Sequence, residues 1–198
     1  MFGIYRFIPN SLITIVACIA MVGCSLLTID VLPMDFPYEA MLERTDIGDG
    51  WIMIGSGSSA VDDTVDSYSV SFRYGSEENL ANPSIGHTLY VYHAEESAVS
   101  GFTTFEGKHF PGSYRPEPPG VSFSPRDVSD NIRLGCREIL INNKPLTHCT
   151  YLHQHDEYAW VVLISLDEDV ITMTDFMQLL ERLEFKIYLL EESLEEAA

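Results

Sequence analysis

The most constraining feature of this 198-residue sequence is a pair of apolar segments on either side of Asn142 and Asn143. Asparagine tolerates positive φ, which a two-residue type I′ turn needs at both central positions. The two segments are therefore predicted to form a β-hairpin. A turn at these asparagines places Leu140 opposite Pro145 at a non-hydrogen-bonded pair, where the missing N–H of proline is tolerated.

The same register places Cys136 opposite Cys149, again at a non-hydrogen-bonded pair. Such pairs bring the two Cα atoms to about 4.5 Å, which is within reach of a disulfide. We therefore predict a Cys136–Cys149 disulfide, which closes a short loop and contributes on the order of 2–3 kcal/mol. The alternatives are two free buried thiols or a redox pair, but neither cysteine has the CxxC spacing of a thiol oxidoreductase.

The first 24 residues have the pattern of a bacterial lipoprotein export signal. Arg6 precedes an apolar run that closes on Met21-Val22-Gly23-Cys24, a lipobox ending in the cysteine that is acylated. The run is shorter than the about 20 apolar residues of a spanning helix. We therefore predict a signal peptide over residues 1–23. Acyl chains such as palmitate on Cys24 then hold the protein on the extracytoplasmic side of the cell membrane or outer membrane. The alternative is an uncleaved anchor over residues 7–29, which also places the domain outside the cytoplasm.

The chain is strongly acidic. Thirty aspartate and glutamate residues against 11 lysine and arginine residues give a formal net charge of −19. Such a surface repels phosphate backbones, which excludes nucleic acid as a partner. The charge is interpreted either as an aid to solubility, including an adaptation to salt, or as a docking face for a basic partner or for cations.

The rest of the sequence predicts a tether over residues 24–37, one globular domain over 38–188 and an acidic tail over 189–198. Short turns between the strands give a largely antiparallel sheet of about six strands. Helices packed on that sheet make an α/β/α-like α+β fold of order α-βββ-α-βββ-α. The predicted helices cover 38–44, 94–109 and the segment from 174 onward, and the predicted strands cover 51–54, 67–74, 87–93, 127–141, 146–153 and 158–165, with a glycine-rich loop over 55–66.

This order of elements is shared with a known family. A short helix before the Gly50-Trp51 strand, a middle helix, a hairpin meander, an apolar strand and a closing amphipathic helix follow one another over residues 36–188. The order resembles the PsbP-like α/β/α sandwich, a family that includes photosystem II extrinsic subunits and exported lipoproteins of the LpqN type. The resemblance implies an accessory or binding module, not an enzyme, and assigns no functional residue.

A proline-rich segment is the first candidate site. Residues 111–125 contain five prolines together with aromatic residues. Loops of this length without regular structure are usually functional or disordered, and the aromatics favour an ordered loop. We predict a binding loop in which Tyr114, Arg115 and Phe123 contact a protein partner in the cell envelope.

The second hypothesis is an extracytoplasmic metal-binding protein or metal-dependent enzyme that uses a His-rich hairpin. His148, His153, His155 and Asp156 crowd that hairpin, and His153 and His155 share a face because they are two residues apart on a strand. His148 differs from them in parity, so three converging ligands do not follow, and the histidines are interpreted as exposed polar ends of the strands. Since the sequence has no catalytic or cofactor motif, we predict a non-catalytic binding module without a cofactor or metal.

Overall fold

The computed structural model describes residues 36–58, 64–110, 115–116 and 131–195. In this part of the chain a 3₁₀ turn and a short helix precede three strands, a second helix separates these from four more strands, and a long third helix follows. The bounds are the 3₁₀ turn Tyr38–Ala40, α1 Arg44–Ile47, β1 Trp51–Ser58, β2 Thr64–Tyr74, β3 Ser84–Tyr92, α2 Glu95–His109, β4 Arg115–Pro116, β5 Asn131–Ile141, β6 Lys144–His155, β7 Tyr158–Leu166 and α3 Met173–Glu195.

The described strands form one antiparallel sheet in the order β1-β2-β3-β7-β6-β5-β4. Six of these strands are long, and β4 has only two residues. Strand β7 lies between β3 and β6 and is buried along almost its whole length, which explains its continuous apolar sequence. The predicted α+β class, with three strands before and three long strands after the middle helix, is confirmed.

The helices cover the two faces of the sheet. Helix α2 packs Phe105 against Leu152 and Val161 on one face. Its first turn is acidic and its last turn contains Lys108 and His109, an arrangement that complements the helix dipole. Helix α3 covers the other face, where Glu184 reaches Tyr151 of β6. The sheet is thus enclosed between two helical layers, which is the predicted α/β/α arrangement.

The first two strands are longer than the sequence predicts. Strand β1 continues to Ser58 and β2 begins at Thr64, whereas the glycine and serine content predicted a loop over 55–66. The small residues still pair in register, Ser56 with Val70, after a β-bulge between Met53 and Gly55. Backbone pairing with the neighbouring strand β2 outweighs the low strand propensity of this segment.

The helix predicted over 38–44 is wrong. Met41 has an extended backbone, with φ −73° and ψ 151°, so the chain makes one 3₁₀ turn and then restarts as α1. A capping box between Glu43 and Asp46 begins α1. At the other end of the chain, α3 continues to Glu195, past the predicted domain end at 188.

Several predicted features lie outside the described residues. These are the signal peptide, the lipobox with Cys24, the tether up to residue 35 and the loop residues Tyr114 and Phe123. None of the helices in the described part of the chain is both long enough and apolar enough to span a bilayer.

Candidate functional site

The cysteine hairpin has the register that the asparagine turn predicts. Asn142 and Asn143 have φ of 52° and 64°, the left-handed values of a type I′ turn. Cys136 of β5 faces Cys149 of β6, and a disulfide joins them. Cys149 is fully buried and Cys136 nearly so, and this crosslink therefore belongs to the core of the domain.

A buried polar cluster lies between β6 and α3. The hydroxyl of Tyr151 donates to Oε1 of Glu184 and lies 2.8 Å from Nδ1 of His153. Because the single hydroxyl proton goes to Glu184, the hydroxyl oxygen accepts from Nδ1–H of His153. The same Nδ1 lies 3.4 Å from Oε1 of Glu184. Three polar side chains thus satisfy one another inside the apolar core.

An aromatic stack closes this cluster on its β7 side. The rings of His153 and Trp160 lie with their centroids 4.0 Å apart and their planes tilted by 33°. Tyr151, His153 and Trp160 are 0% exposed, and Glu184 is 2% exposed. The titratable side chains of this cluster are therefore enclosed in the core.

His87 is a second buried histidine on the same face. It stands opposite Val162, which in turn stands opposite Tyr151, so the three residues form one row across β3, β7 and β6. Nδ1 of His87 accepts the backbone N–H of Leu42 at 3.1 Å, which requires the neutral imidazole. Complete burial, with a smaller effect from Lys186, lowers the pKa of His87 to about 3.

Residues 38–47, here called the N-terminal strap, lie between α3 and the sheet. Nζ of Lys186 donates to the carbonyl of Met41 at 3.1 Å and to Oδ2 of Asp46 at 2.7 Å. Nη1 of Arg182 donates to the carbonyl of Asp46 at 2.7 Å. With the bond from Leu42 to His87, these contacts fix the strap to both the helix and the sheet.

The residues of the metal hypothesis do not converge. His148 lies near Ser165, Arg137 and His109. Burial of its imidazole lowers the pKa of His148 most, and electrostatic repulsion from Arg137 and His109 lowers it further. His153 lies on the opposite face of the strand, in the cluster with Glu184. Among the described residues no three His, Cys, Asp or Glu side chains are grouped so as to hold a metal ion.

The last two residues of the metal hypothesis lie near each other at the end of β6. The ring of His155 contacts the ring of Tyr188, with centroids 4.8 Å apart, and its Nε2 lies 3.9 Å from Oδ2 of Asp156. The prediction that His153 and His155 are exposed strand ends is wrong, since they are 0% and 7% exposed. Helix α3 covers them, a tertiary contact that strand periodicity does not reveal.

The proline-rich loop is represented by one strand only. The backbone of Arg115 pairs opposite Cys136 in the two-residue strand β4, while Tyr114 and Phe123 lie outside the described residues. The loop is thus joined to the disulfide hairpin at Arg115, and its role in binding stays a prediction.

Tyr151 and Glu184 of the buried cluster, and the separate buried histidine His87, are not predicted from the sequence. A signal was available for Glu184, because it stands in the apolar stripe of α3 beside Leu180, Leu183 and Ile187, all 0% exposed. A carboxylate in such a stripe needs a buried partner. Its partners Tyr151 and His153 both come from β6, and their contact with Glu184 requires the placement of α3 across that strand.

No protein-family model matches the sequence, and no curated protein matches it. One solved structure to which the chain is similar is the extracellular domain of PknH from Mycobacterium tuberculosis. The two chains are 5% identical, the similarity covers 73% of this chain and 93% of that one, and the TM-score is 0.47.

Proposed function

We propose that this protein is a lipid-anchored, extracytoplasmic accessory module that acts by binding a protein partner and not by catalysis. The observation that carries the proposal is the enclosure of the buried polar cluster. Tyr151, His153 and Glu184 are hydrogen-bonded to one another, and each is at most 2% exposed. Their role is therefore to stabilise the core and not to contact a substrate. The PsbP-like resemblance implies the same class of role.

The Cys136–Cys149 disulfide supports an extracytoplasmic location. Disulfides form and persist in oxidising compartments and are rare in the cytosol. Burial of both sulfurs makes this bond a part of the core and not an exposed redox pair. The lipobox at residues 21–24 supplies a matching export route and an anchor at Cys24.

The partner is proposed to be a protein of the cell envelope. A formal net charge of −19 disfavours nucleic acid and anionic lipid headgroups, so the domain would stand away from the bilayer on its tether. The predicted contact residues Tyr114, Arg115 and Phe123 remain part of this proposal.

The test is whether the protein forms a complex with a partner in its native membrane. Cross-linking in native membranes, followed by extraction and mass analysis, is expected to yield a defined complex with one envelope protein in fixed ratio. An Arg115→Ala variant should lose at least half of this complex. The matched variant Arg44→Ala, at an exposed arginine of α1, should retain it. Recovery of the chain alone under all conditions would contradict the binding role.

A further inference from the structure

The hydrogen bond between His87 and the N-terminal strap exists only while the imidazole is neutral. The backbone N–H of Leu42 can only donate, so Nδ1 of His87 must carry no proton. Nε2 of the same ring is buried, and no described residue accepts a hydrogen bond from it. A proton added at Nδ1 would therefore turn two N–H groups toward each other and leave the imidazolium without an acceptor among the described residues.

The charged groups nearest to His87 come from α3 and α1. Lys186 of α3 disfavours an imidazolium at this position, and Asp46 of α1 favours it by less. The charge of Asp46 is already compensated, since its Oδ2 lies 2.7 Å from Nζ of Lys186. The sheet residues opposite His87 are Val70 on β2 and Val162 on β7, and both are apolar. The folded protein therefore offers no group that would hold a proton on His87.

Other titratable side chains on this face of the sheet lie further along it. Tyr38 of the strap contacts Tyr68 of β2, and both phenols are neutral in the pH range in which a histidine titrates. Tyr151, His153 and Glu184 lie beyond β7, where they are hydrogen-bonded to one another. His87 is thus the titratable group that contacts the strap backbone from the sheet.

The strap is held less firmly than the strand that contains His87. Strand β3 pairs with β2 on one side and with β7 on the other. The strap is bonded to the sheet through Leu42, and to α3 through Lys186 and Arg182. Segments with few hydrogen bonds open at a lower free-energy cost than central strands. A proton on His87 is therefore expected to displace the strap before it disrupts the sheet.

We propose that acid releases the N-terminal strap: a proton on Nδ1 of His87 detaches residues 38–47 from the sheet while the sheet stays folded. At neutral pH the strap remains in place because Ala40, Met41 and Leu42 are buried, each at most 3% exposed. Release uncovers the apolar surface beneath these three residues, so access to that surface depends on pH. This inference goes beyond the proposed binding role and does not depend on it.

Hydrogen exchange of the full chain in nanodiscs of zwitterionic lipid tests the inference. The opening constant of the strap is the exchange rate of the Leu42 amide divided by its intrinsic rate at each pH. The pKa of His87 is about 3 in the closed form, and 6.5 applies once the ring is in water. The opening constant is therefore expected to rise about 70-fold between pH 6 and pH 4. The amides of β7 should exchange far more slowly than Leu42 throughout.

Three variants assign the proton. Oδ1 of asparagine lies where Nδ1 of histidine lies, so His87→Asn keeps an acceptor for Leu42 and removes the titrating group. Its opening constant should change less than about threefold over the same pH range. Asp46→Asn removes the carboxylate that binds Lys186, so it should raise the opening constant at each pH and keep the rise in acid. His93→Asn, at an exposed histidine, should behave as the natural chain does.

Urea distinguishes release of the strap from unfolding of the domain. Release exposes little surface, so exchange of the Leu42 amide should not depend on low concentrations of urea. Exchange of the β7 amides requires a larger opening and should accelerate with urea.

Four outcomes would overturn the inference. They are an opening constant that does not change with pH, an equal rise in His87→Asn, loss of the rise in Asp46→Asn, and strap exchange that increases with urea in parallel with β7. If His87→Asn does not fold, the natural chain and Asp46→Asn still decide the question. The cross-linked complex in native membranes tests the proposed function separately, since it does not require the strap to open.

Discussion

The backbone N–H of Leu42 donates to Nδ1 of His87 over 3.1 Å, and both residues are at most 1% exposed. This bond joins the N-terminal strap to the centre of the sheet. Lys186 and Arg182 of α3 hold the same strap from the other side. The segment that follows the predicted lipid tether is thus fixed to the domain by a neutral histidine and by two helix cations.

The neutral state of His87 predicts a loss of stability in acid. Its pKa is about 3 in the folded protein and 6.5 in the unfolded chain, so between these values the unfolded chain binds more protons. The contribution of neutral His87 to the free energy of unfolding is fully present above pH 6.5. Roughly 4 kcal/mol of that free energy is lost as the pH falls to 3. Urea unfolding over this range should show a shallower pH dependence for His87→Gln than for the natural chain. The exposed His93→Gln control should keep the natural dependence, and equal slopes for all three would contradict the assignment.

The buried hydroxyl of Tyr151 is predicted to stabilise the core. Tyr151→Phe leaves Glu184 and His153 without their shared partner, so the free energy of unfolding should fall by about 1–3 kcal/mol. The control is Tyr74→Phe, because no described residue hydrogen-bonds to the hydroxyl of Tyr74, and its change should stay within about 0.5 kcal/mol. Chemical denaturation measures the free energy of unfolding of both variants. An unchanged value for Tyr151→Phe would show that Tyr151, His153 and Glu184 do not stabilise the core together.

Two glycines of helix α2 should respond in opposite directions to alanine. A Cβ at Gly107 meets nothing within 4 Å, so Gly107→Ala should raise stability by about 0.5–1 kcal/mol through helix propensity. A Cβ at Gly101 would collide with the ring and hydroxyl of Tyr92, which is 4% exposed. Gly101→Ala should therefore lower stability by about 1–2 kcal/mol despite the same propensity gain. Thermal unfolding measures the stability of both variants. A gain in stability for Gly101→Ala would show that the ring of Tyr92 does not lie against Gly101.

Lys186 is predicted to hold the strap locally. Lys186→Met keeps much of the apolar stem and removes the bonds to Met41 and Asp46. Hydrogen exchange at the amides of Met41 and Leu42 should accelerate about tenfold, while exchange in β7 remains slow. Lys108→Met, at an exposed lysine of α2, is the matched control and should change neither region. Uniform acceleration in all elements would indicate global and not local destabilisation.

The hairpin could be predicted in detail because its determinants are local. Asn142, Asn143, Pro145 and the two cysteines all satisfy one register, and that register is the one in the structure. The two long helices and the α+β class follow from the spacing of apolar residues, which is also local.

The buried cluster could not be predicted, because it depends on the placement of α3 across β6. His153 alternates with Leu152 as a surface residue would, and only the helix above it makes it a core residue. Strand β1 was missed over 55–58 since glycine and serine are weak strand formers and the pairing partner, Val70, is 14 positions away.

The most direct test of the account is the intact mass of the protein purified from its native membrane, before and after reduction. The account predicts the mass of residues 24–198 plus the acyl chains on Cys24, with reduction adding the mass of two hydrogen atoms at Cys136 and Cys149. An unprocessed, unacylated chain, or one whose cysteines are already reduced as purified, would contradict an exported, lipid-anchored module.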